Sequence, residues 1–303
     1  MNVFVVNTPF QLYVVKQIIL QYFPFDKNII LSTIKGGNRK EKDVLFISPG
    51  ILGLLKSNRF LRKIRTNISE VSFFVPHLGN LFSSYFFDLA KEFGRPISVY
   101  YEGVALLYDP VIANKKAYYK RFLQGLLLGI KYNHYEQLYP QSLLDIVECC
   151  YSPTTKMLDK YKQVKKIEFC SQNTSGDNNI LFLTSDVVTS IEIEECIRFV
   201  QEYCKVGDST LFIKPHYALN GMMLNNFVDR FKSLAIKDIV VLDKSTPIEQ
   251  YYEDYSFNRI VCQRFTSAIV NAKFILGDNV QCYVINKKTL PIEMLKELDI
   301  QIA

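Results

Sequence analysis

Short apolar runs alternate with amphipathic stretches along this chain, and the alternation occurs twice. Strands that alternate with helices form parallel sheets with helices on both faces. The pattern therefore predicts an α/β protein with two Rossmann-like parallel-sheet domains, and 303 residues is an ordinary length for two. The predicted strands of the first series are 3–6, 28–31, 44–47, 71–75, 97–101 and 146–151, and those of the second are 180–183, 211–213, 239–242, 260–262, 274–276 and 282–285.

A polar, turn-rich segment from Ser171 to Asn179 separates the two series. We expect one domain over residues 1–155, a linker over 156–178 and a second domain over 179–303. Two successive domains of this kind predict a cleft between them, which is the GT-B architecture. That architecture occurs in many glycosyltransferases, in sugar-nucleotide epimerases and in some binding proteins, so the fold alone does not decide the function.

The bulk composition narrows the classes of partner and compartment. A net charge of +6 favours an anionic ligand or a membrane surface, but it is too small to predict nucleic-acid binding. The seven cysteines include no C-x-x-C pair, which favours reduced, buried thiols in a cytoplasmic protein and disfavours a metal site. Residues 1–7 have the pattern of a core strand rather than of a signal peptide, and the longest apolar stretch, Phe122–Ile130, is too short to span a bilayer.

His216 follows one of the predicted strands. The apolar run Leu211–Ile213 stops at Lys214, Pro215 and His216. Ligands of open α/β sheets bind at the carboxyl ends of strands, so a histidine at this point is a candidate for chemistry. The alternative is a structural histidine that caps the strand.

The first series carries further candidates at two strand ends. Thr8 suits the N-cap position of the first helix, whereas Asn7 and Gln11 remain as free polar groups suited to sugar hydroxyls. Glu102 follows the strand 97–101 and can act as a general base, with a solvated loop glutamate as the alternative. Gly103 allows a sharp turn and the close approach of a ligand.

The second series carries hydroxyl groups and a carboxylate at comparable places. Thr184 and Ser185 end the strand 180–183, where they either contact a nucleotide or cap the next helix. Glu249 lies in the first turn of a short helix, where it either stabilises the helix start or holds ribose hydroxyls. Thr266 and Ser267 open another helix, and hydroxyls beside free N–H groups at a helix N-terminus form a phosphate site or an N-cap.

Several well-known motifs are missing from the sequence. It contains no P-loop and no G-x-G-x-x-G, H-E-x-x-H or G-x-S-x-G motif. It also contains no D-x-D triplet, which metal-dependent glycosyltransferases use to hold a divalent ion on a diphosphate. A nucleotide monophosphate donor needs no such triplet.

The ordered motifs N-T-P-F-Q-L, E-G, K-P-H, P-I-E and T-S resemble those of the bacterial sialyltransferases that cap lipooligosaccharides and capsules. The resemblance spans nearly the whole chain, although each motif is short. It implies a GT-B fold, CMP-sialic acid as donor, a galactose-terminated cell-surface or capsular glycan as acceptor, and inversion without a metal or other cofactor. The domain over 1–155 is then the acceptor side, and the domain over 179–303 binds the nucleotide sugar.

The resemblance also implies a role for each candidate residue. Glu102 is the expected general base, and His216 is the expected acid or stabiliser of the leaving phosphate. The expected contacts to the donor CMP are Thr184, Ser185, Lys214, Glu249, Thr266 and Ser267, and the expected contacts to the acceptor are Asn7, Thr8, Gln11 and Gly103.

Three positions depart from the family pattern. Tyr101, Tyr217 and Thr266 stand where the family has the first acid of an acidic pair, the proline of His-Pro and the first serine of a serine pair. Two alternatives therefore stay open. One is another GT-B transferase, such as a polysialyltransferase or a glycerophosphate transferase of wall polymers, and the other is an inactive GT-B module that binds glycan.

The segment 115–122 alternates cationic and aromatic residues just before an apolar helix. This pattern suits contact with anionic lipid or an anionic acceptor, and it equally suits a solvated helix face. We expect a cytoplasmic protein without a nucleic-acid partner. A peripheral position at the inner face of the membrane and a homodimer are both left open.

Overall fold

The computed structural model describes residues 1–34, 44–46, 51–108, 115–169, 178–186, 189–203, 209–216, 218–234, 236–286 and 291–302. The chain divides into two compact units, Met1–Glu168 and Phe169–Ala303. Each unit contains one parallel sheet, so the predicted fold class of two parallel α/β domains is confirmed.

The first unit contains a seven-stranded sheet. Its strands are β1 (Asn2–Val6), β2 (Asn28–Ser32), β3 (Val44–Phe46), β4 (Ser72–Val75), β5 (Ile97–Tyr100), β6 (Val147–Ser152) and β7 (Val164–Lys166). Its helices are α1 (Pro9–Tyr22), α2 (Ile51–Thr66), α3 (Leu81–Glu92), α4 (Ala105–Tyr108), α5 (Lys115–Leu128) and α6 (Gln141–Leu144). The strands lie in the order β3-β2-β1-β4-β5-β6-β7.

The apolar strands of this sheet are buried because helices cover both of its faces. All five residues of β1 are buried between β2 and β4. Phe4 of β1 stacks on Phe74 of β4 with ring centroids 4.3 Å apart. At the end of β1, Thr8 caps α1 as predicted, because its hydroxyl oxygen accepts the N–H of Gln11 at 3.1 Å.

The second unit contains a six-stranded sheet. Its strands are β8 (Asn179–Leu183), β9 (Thr210–Lys214), β10 (Asp238–Val241), β11 (Arg259–Cys262), β12 (Gln281–Val284) and β13 (Ile300–Ile302). Its helices are α7 (Ser190–Tyr203), α8 (Gly221–Phe231), α9 (Ile248–Asp254), α10 (Ser267–Leu276) and α11 (Ile292–Glu297). The strands lie in the order β10-β9-β8-β11-β12-β13, and a core that includes Phe182, Phe227 and Phe231 packs beside them.

Each sheet grows outward from its first strand and then reverses direction. The reversal lies between β1 and β4 in the first unit and between β8 and β11 in the second. Open α/β sheets bind ligands outside the carboxyl ends of the strands at this switch point. The fold therefore singles out two strand ends in each unit as places to look for chemistry.

Two sequence-based boundaries are wrong. The predicted strand 274–276 is the last turn of α10, which is buried on most sides and ends at Gly277 with φ +72. An apolar run in such a helix has no polar face, so its sequence cannot be told from that of a strand. The predicted linker 156–178 includes β7, which completes the first sheet with the short, cationic sequence Val164–Lys166.

Some predictions fall outside the described residues, namely the loop at Gly36 and Gly37, Tyr217, and residues 170–177 of the predicted linker. Within the described ranges, no helix is both long and apolar enough to cross a bilayer.

Candidate functional site

Glu102 lies just beyond β5, and its side chain is only 10% exposed. Three side chains donate hydrogen bonds to its carboxylate. Gln11 Nε2 and His77 Nε2 each lie 3.1 Å from Oε2, and the Tyr139 hydroxyl lies 3.2 Å from Oε1. Gly103 follows with φ +124, a conformation that favours glycine, so the chain turns directly after the carboxylate as predicted. The alternative of a solvated loop glutamate is therefore wrong.

Asn7 and Gln11 are not the free polar groups that the sequence predicts. Gln11 is buried, and its Oε1 accepts the backbone N–H of Asn7 at 2.7 Å. This contact turns Nε2 of Gln11 toward Glu102, because an amide oxygen that accepts an N–H leaves the nitrogen as the donor. Asn7 in turn accepts a hydrogen bond from the Thr33 hydroxyl at 3.0 Å. Asn7 and Gln11 thus hold the carboxylate, and their predicted contact with an acceptor sugar stays a prediction.

His77 was missed by the sequence analysis. It follows β4, the strand between β1 and β5, and its Nδ1 accepts the backbone N–H of Gly79 at 2.7 Å. A ring nitrogen that accepts an N–H carries no proton, so the other nitrogen, Nε2, donates its proton to Glu102. Both ring nitrogens are engaged, and His77 therefore orients the carboxylate and is not itself available as a base. The same strand-end rule that selects His216 also selects His77.

Gly79 makes the position of the His77 ring possible. A Cβ atom at residue 79 would lie 2.7 Å from Nδ1 of His77 and 2.7 Å from Cδ2 of Leu138. Only glycine leaves space for the ring at this place. The hydrogen bond from residue 79 and the orientation of Glu102 thus depend on the same missing side chain.

Tyr139 completes the setting of the carboxylate. Burial raises the pKa of Tyr139 well above its ordinary value, and the charge of Glu102 adds to the rise. The phenol therefore keeps its single proton, which it shares between Glu102 Oε1 at 3.2 Å and the carbonyl of Pro76 at 2.7 Å. Oε2 accepts two full hydrogen bonds and Oε1 one shared bond, so within the described part of the chain Oε1 has the greater capacity to accept a proton.

In the second unit, the ends of β8 and β9 are joined through His216. Its backbone N–H donates to Oγ1 of Thr184 at 2.9 Å, and its Nδ1 accepts the N–H of Ala218 at 3.3 Å. Thr184 is buried and does not cap the following helix, which Thr189 caps instead. The alternative role of Thr184 and Ser185 as a helix cap is therefore wrong.

Ser185 is tied to the strand on the other side of β8. Its N–H and its hydroxyl both approach Oε1 of Gln263, at 3.2 and 2.9 Å, and Gln263 follows β11. Gln263 is fully buried and was missed from the sequence. Thr184, Ser185, His216 and Gln263 thus gather at the switch point of the second sheet.

Lys214 and Glu249 are both buried, which their sequence does not predict for charged groups. Lys214 donates from Nζ to the carbonyl of Asp243 at 2.7 Å, and burial lowers the pKa of its ammonium. Glu249 accepts a hydrogen bond from Asn271 Nδ2 at 2.8 Å, and burial raises the pKa of its carboxyl. Their contact with a nucleotide stays a prediction.

Thr266 and Ser267 lie where β11 leads into α10. Thr266 is the N-cap of α10 and accepts the N–H of Ala268 at 3.4 Å, while Ser267 is exposed. The N–H groups of the first helical turn have no partner within a helix, so they attract an anion at this end. The cap is confirmed, and it places two hydroxyls beside the switch point of the second unit.

The first unit also has a cavity of about 320 Å³ away from Glu102. It is lined by α2, α3 and the end of α5, including Arg62, Arg65, Asp88 and Lys131, and by none of the predicted site residues. No three His, Cys, Asp or Glu side chains in the described ranges are placed to share a metal ion.

No family model and no curated protein sequence matches the chain. Solved structures do match. A putative UDP-N-acetylglucosamine 2-epimerase from Listeria monocytogenes has a TM-score of 0.55 at 10% identity, over 98% of this chain and 82% of that chain. The chain has a GT-B class of fold.

Two further structures agree with this fold. A UGT transferase from Siraitia grosvenorii, in complex with UDP, has a TM-score of 0.52 at 10% identity, over 100% of this chain and 85% of that chain. MurG from Acinetobacter baumannii has a TM-score of 0.51 at 12% identity, over 100% of this chain and 85% of that chain. At such identities the likeness establishes the fold and leaves the reaction to the residues of this chain.

Proposed function

We propose that this protein is an inverting glycosyltransferase that moves sialic acid from CMP-sialic acid to the terminal galactose of a cell-surface or capsular glycan, without a metal. The observation that carries the proposal is the setting of Glu102. A carboxylate at a strand end beside the switch point is held by Gln11, His77 and Tyr139, and it keeps one oxygen with room to accept a proton.

In the proposed reaction, Oε1 of Glu102 accepts the proton of the acceptor hydroxyl. The hydroxyl oxygen forms the new bond to the anomeric carbon while the bond from that carbon to the CMP phosphate breaks. General-base catalysis of this kind contributes about 10²- to 10⁴-fold to the rate. Tyr139 follows the change of charge, because its one proton can face Oε1 before the transfer and the Pro76 carbonyl after it.

The second unit supplies groups suited to the leaving phosphate. Thr266, Ser267 and the free N–H groups of α10 offer hydrogen bonds to an anion, and His216 offers a proton or a further hydrogen bond. Preorganised donors of this kind stabilise charge that develops in the transition state. The short motifs that resemble sialyltransferases support CMP as the nucleotide.

A second candidate is a GT-B enzyme that uses a uridine nucleotide. Two of the structural neighbours carry UDP in their descriptions, one as a bound ligand and one in the name of the substrate. The polysialyltransferase, the glycerophosphate transferase and the inactive glycan-binding module belong to the same comparison. The change in melting temperature with CMP, CDP and UDP separates these candidates, because a ligand stabilises the folded state that binds it.

The direct experiment is an assay of products. The protein is incubated with CMP-sialic acid and a panel of galactosides, and any product is identified by mass and by linkage, with and without EDTA. Sialylated galactoside and released CMP, unchanged by EDTA, are the expected result. A product that forms only from UDP-sugars, or activity that EDTA removes and Mn²⁺ restores, would contradict the proposal.

A further inference from the structure

Two neighbouring helices of the first unit carry the positive charge of the chain. Of its 36 basic residues, nine lie in α2 and α5, which contain no acidic residue, and the other 27 are outnumbered by the 30 Asp and Glu. The helices pack against each other. Outside this pair of helices the chain is therefore net negative, and a positive surface is concentrated at one place.

The cationic side chains of α2 point outward where the structure describes them. Arg59, Arg62 and Lys63 are exposed, and Arg65 is exposed as well but pairs with Glu92 of α3 at 2.8 Å. On α5, Lys120 is exposed beside them in the same unit. The surface is thus built from several independent cations rather than from one charged pair.

The outer face of α5 is apolar. Tyr119, Phe122, Leu123, Leu126 and Leu127 are 66%, 40%, 61%, 61% and 47% exposed. Their spacing of three, four, seven and eight residues places them on one side of the helix. The opposite side, with Gly125 and Leu128, is buried in the unit. Three exposed leucines on one helix face are unusual for a surface that meets only water.

We infer that these two helices form a docking surface, the α2–α5 face, for an anionic lipid bilayer. The face consists of the exposed residues Arg59, Arg62, Lys63, Tyr119, Lys120, Phe122, Leu123, Leu126 and Leu127. Leucines inserted at the acyl boundary and cations at the level of anionic headgroups are the two contributions that bind an amphipathic helix to a membrane. This inference goes beyond the proposed reaction and does not depend on the donor.

Two other occupants fit the face less well. A nucleic acid would use the cations, but it has no complementary surface for the row of Leu123, Leu126 and Leu127. A second copy would cover the leucines, but it would bring two clusters of like charge together without an acidic residue in either helix pair. A bilayer with anionic lipids satisfies the leucines and the cations at the same time.

The test is co-sedimentation of the full chain with vesicles of phosphatidylcholine alone and of phosphatidylcholine with about 30% phosphatidylglycerol. The wild-type protein is expected to bind the anionic vesicles, to bind the neutral vesicles at least about tenfold more weakly, and to lose affinity as salt shortens the range of the charges. The Leu123→Ser/Leu126→Ser variant is expected to bind anionic vesicles about tenfold or more weakly, since each leucine loses its apolar burial.

Matched variants separate this face from general surface effects. Leu20 and Ile191 are similarly exposed, at 66% and 73%, so Leu20→Ser/Ile191→Ser is expected to bind like the wild type. Circular dichroism establishes that each variant is folded.

Charge variants complete the series. Arg62→Gln/Lys63→Gln/Lys120→Gln is expected to weaken binding to anionic vesicles by about 10- to 100-fold. The control with exposed lysines elsewhere is Lys156→Gln/Lys162→Gln/Lys237→Gln, which is expected to have little effect.

Three results would overturn the inference. The first is wild-type binding by the folded leucine variant, and the second is equal binding to neutral and anionic vesicles. The third is a dimer in sedimentation velocity that the leucine variant dissociates, because that result assigns the face to a second copy of the chain.

Discussion

Nε2 of His77 lies 3.1 Å from Oε2 of Glu102, while Nδ1 of the same ring accepts the N–H of Gly79 at 2.7 Å. These two contacts fix the neutral tautomer of the imidazole and leave Glu102 as the group that can accept a proton. His77 is a positioning residue in this arrangement. Its effect on the reaction passes through the carboxylate that it holds.

We expect His77→Ala to lower the turnover number by about 10- to 100-fold, the scale found when a partner that orients a functional ligand is removed. His77→Gln is expected to recover part of the loss, because its amide can still donate a hydrogen bond to Glu102. Steady-state kinetics and CMP titration of both variants check this. Equal rates for the alanine and glutamine variants would show that the hydrogen bond has no role.

Gly79→Ala tests the same contact without touching a polar side chain. The new Cβ would lie 2.7 Å from Nδ1 of His77, so the ring must move and turnover should fall toward that of His77→Ala. Gly221→Ala is the control, because no heavy atom lies within 4 Å of a Cβ at that position. The measurement is the turnover number at saturating donor and acceptor. Full activity of Gly79→Ala would show that the ring position does not matter.

Much of the fold follows from the sequence because parallel strands are apolar and short. The runs at β1, β5, β8 and β9 are buried on both faces, so their sequences contain no polar alternation to confuse the assignment. β7 could not be predicted, because a strand of three residues with two lysines has no apolar run.

The candidate site was predictable in place but not in its connections. Glu102 and His216 follow apolar strands, and strand ends are where the rule for parallel sheets points. That Gln11 turns its amide to Glu102 and that His77 joins it depends on which strands are neighbours. The order β1-β4-β5 is a tertiary property, and a single sequence does not contain it locally.

We expect His216→Ala to lower turnover by about two orders of magnitude and to weaken CMP binding, while the melting temperature stays within a few degrees. The Thr266→Ala/Ser267→Ala variant should also weaken CMP binding. If all three groups serve one phosphate, the effects combined with His216→Ala should be less than additive. Isothermal titration with CMP gives these energies. Strict additivity, or a loss of melting temperature with unchanged rate, would favour the structural role of His216.

Glu192 predicts a pH dependence of stability in the second unit. It forms a capping box with Thr189 and accepts hydrogen bonds from Arg264 at 2.8 Å and Asn286 at 3.2 Å. Burial disfavours the ionised form, but the hydrogen bonds of Arg264 and Thr189 outweigh it and lower the pKa of Glu192 to about 2. A lowered pKa in the folded state stabilises above the unfolded pKa and loses that contribution as pH falls.

Glu192→Gln should therefore lower the melting temperature at neutral pH, and it should flatten the fall of the melting temperature between about pH 5 and pH 2. Scanning calorimetry of the variant and the wild type measures both effects. Glu194→Gln on the same helix is the control, since Glu194 makes only an exposed ion pair with Arg230. An unchanged pH profile in Glu192→Gln would contradict the assignment.

The measurement that tests the account most directly is the comparison of Glu102→Gln with the wild type in transfer from CMP-sialic acid and in affinity for CMP. Glutamine keeps the shape of the side chain but cannot accept the proton of the acceptor hydroxyl. We predict that transfer falls by at least about 10²-fold while the dissociation constant of CMP stays within about twofold. If the variant retains more than about half of the wild-type transfer rate, Glu102 is not the general base.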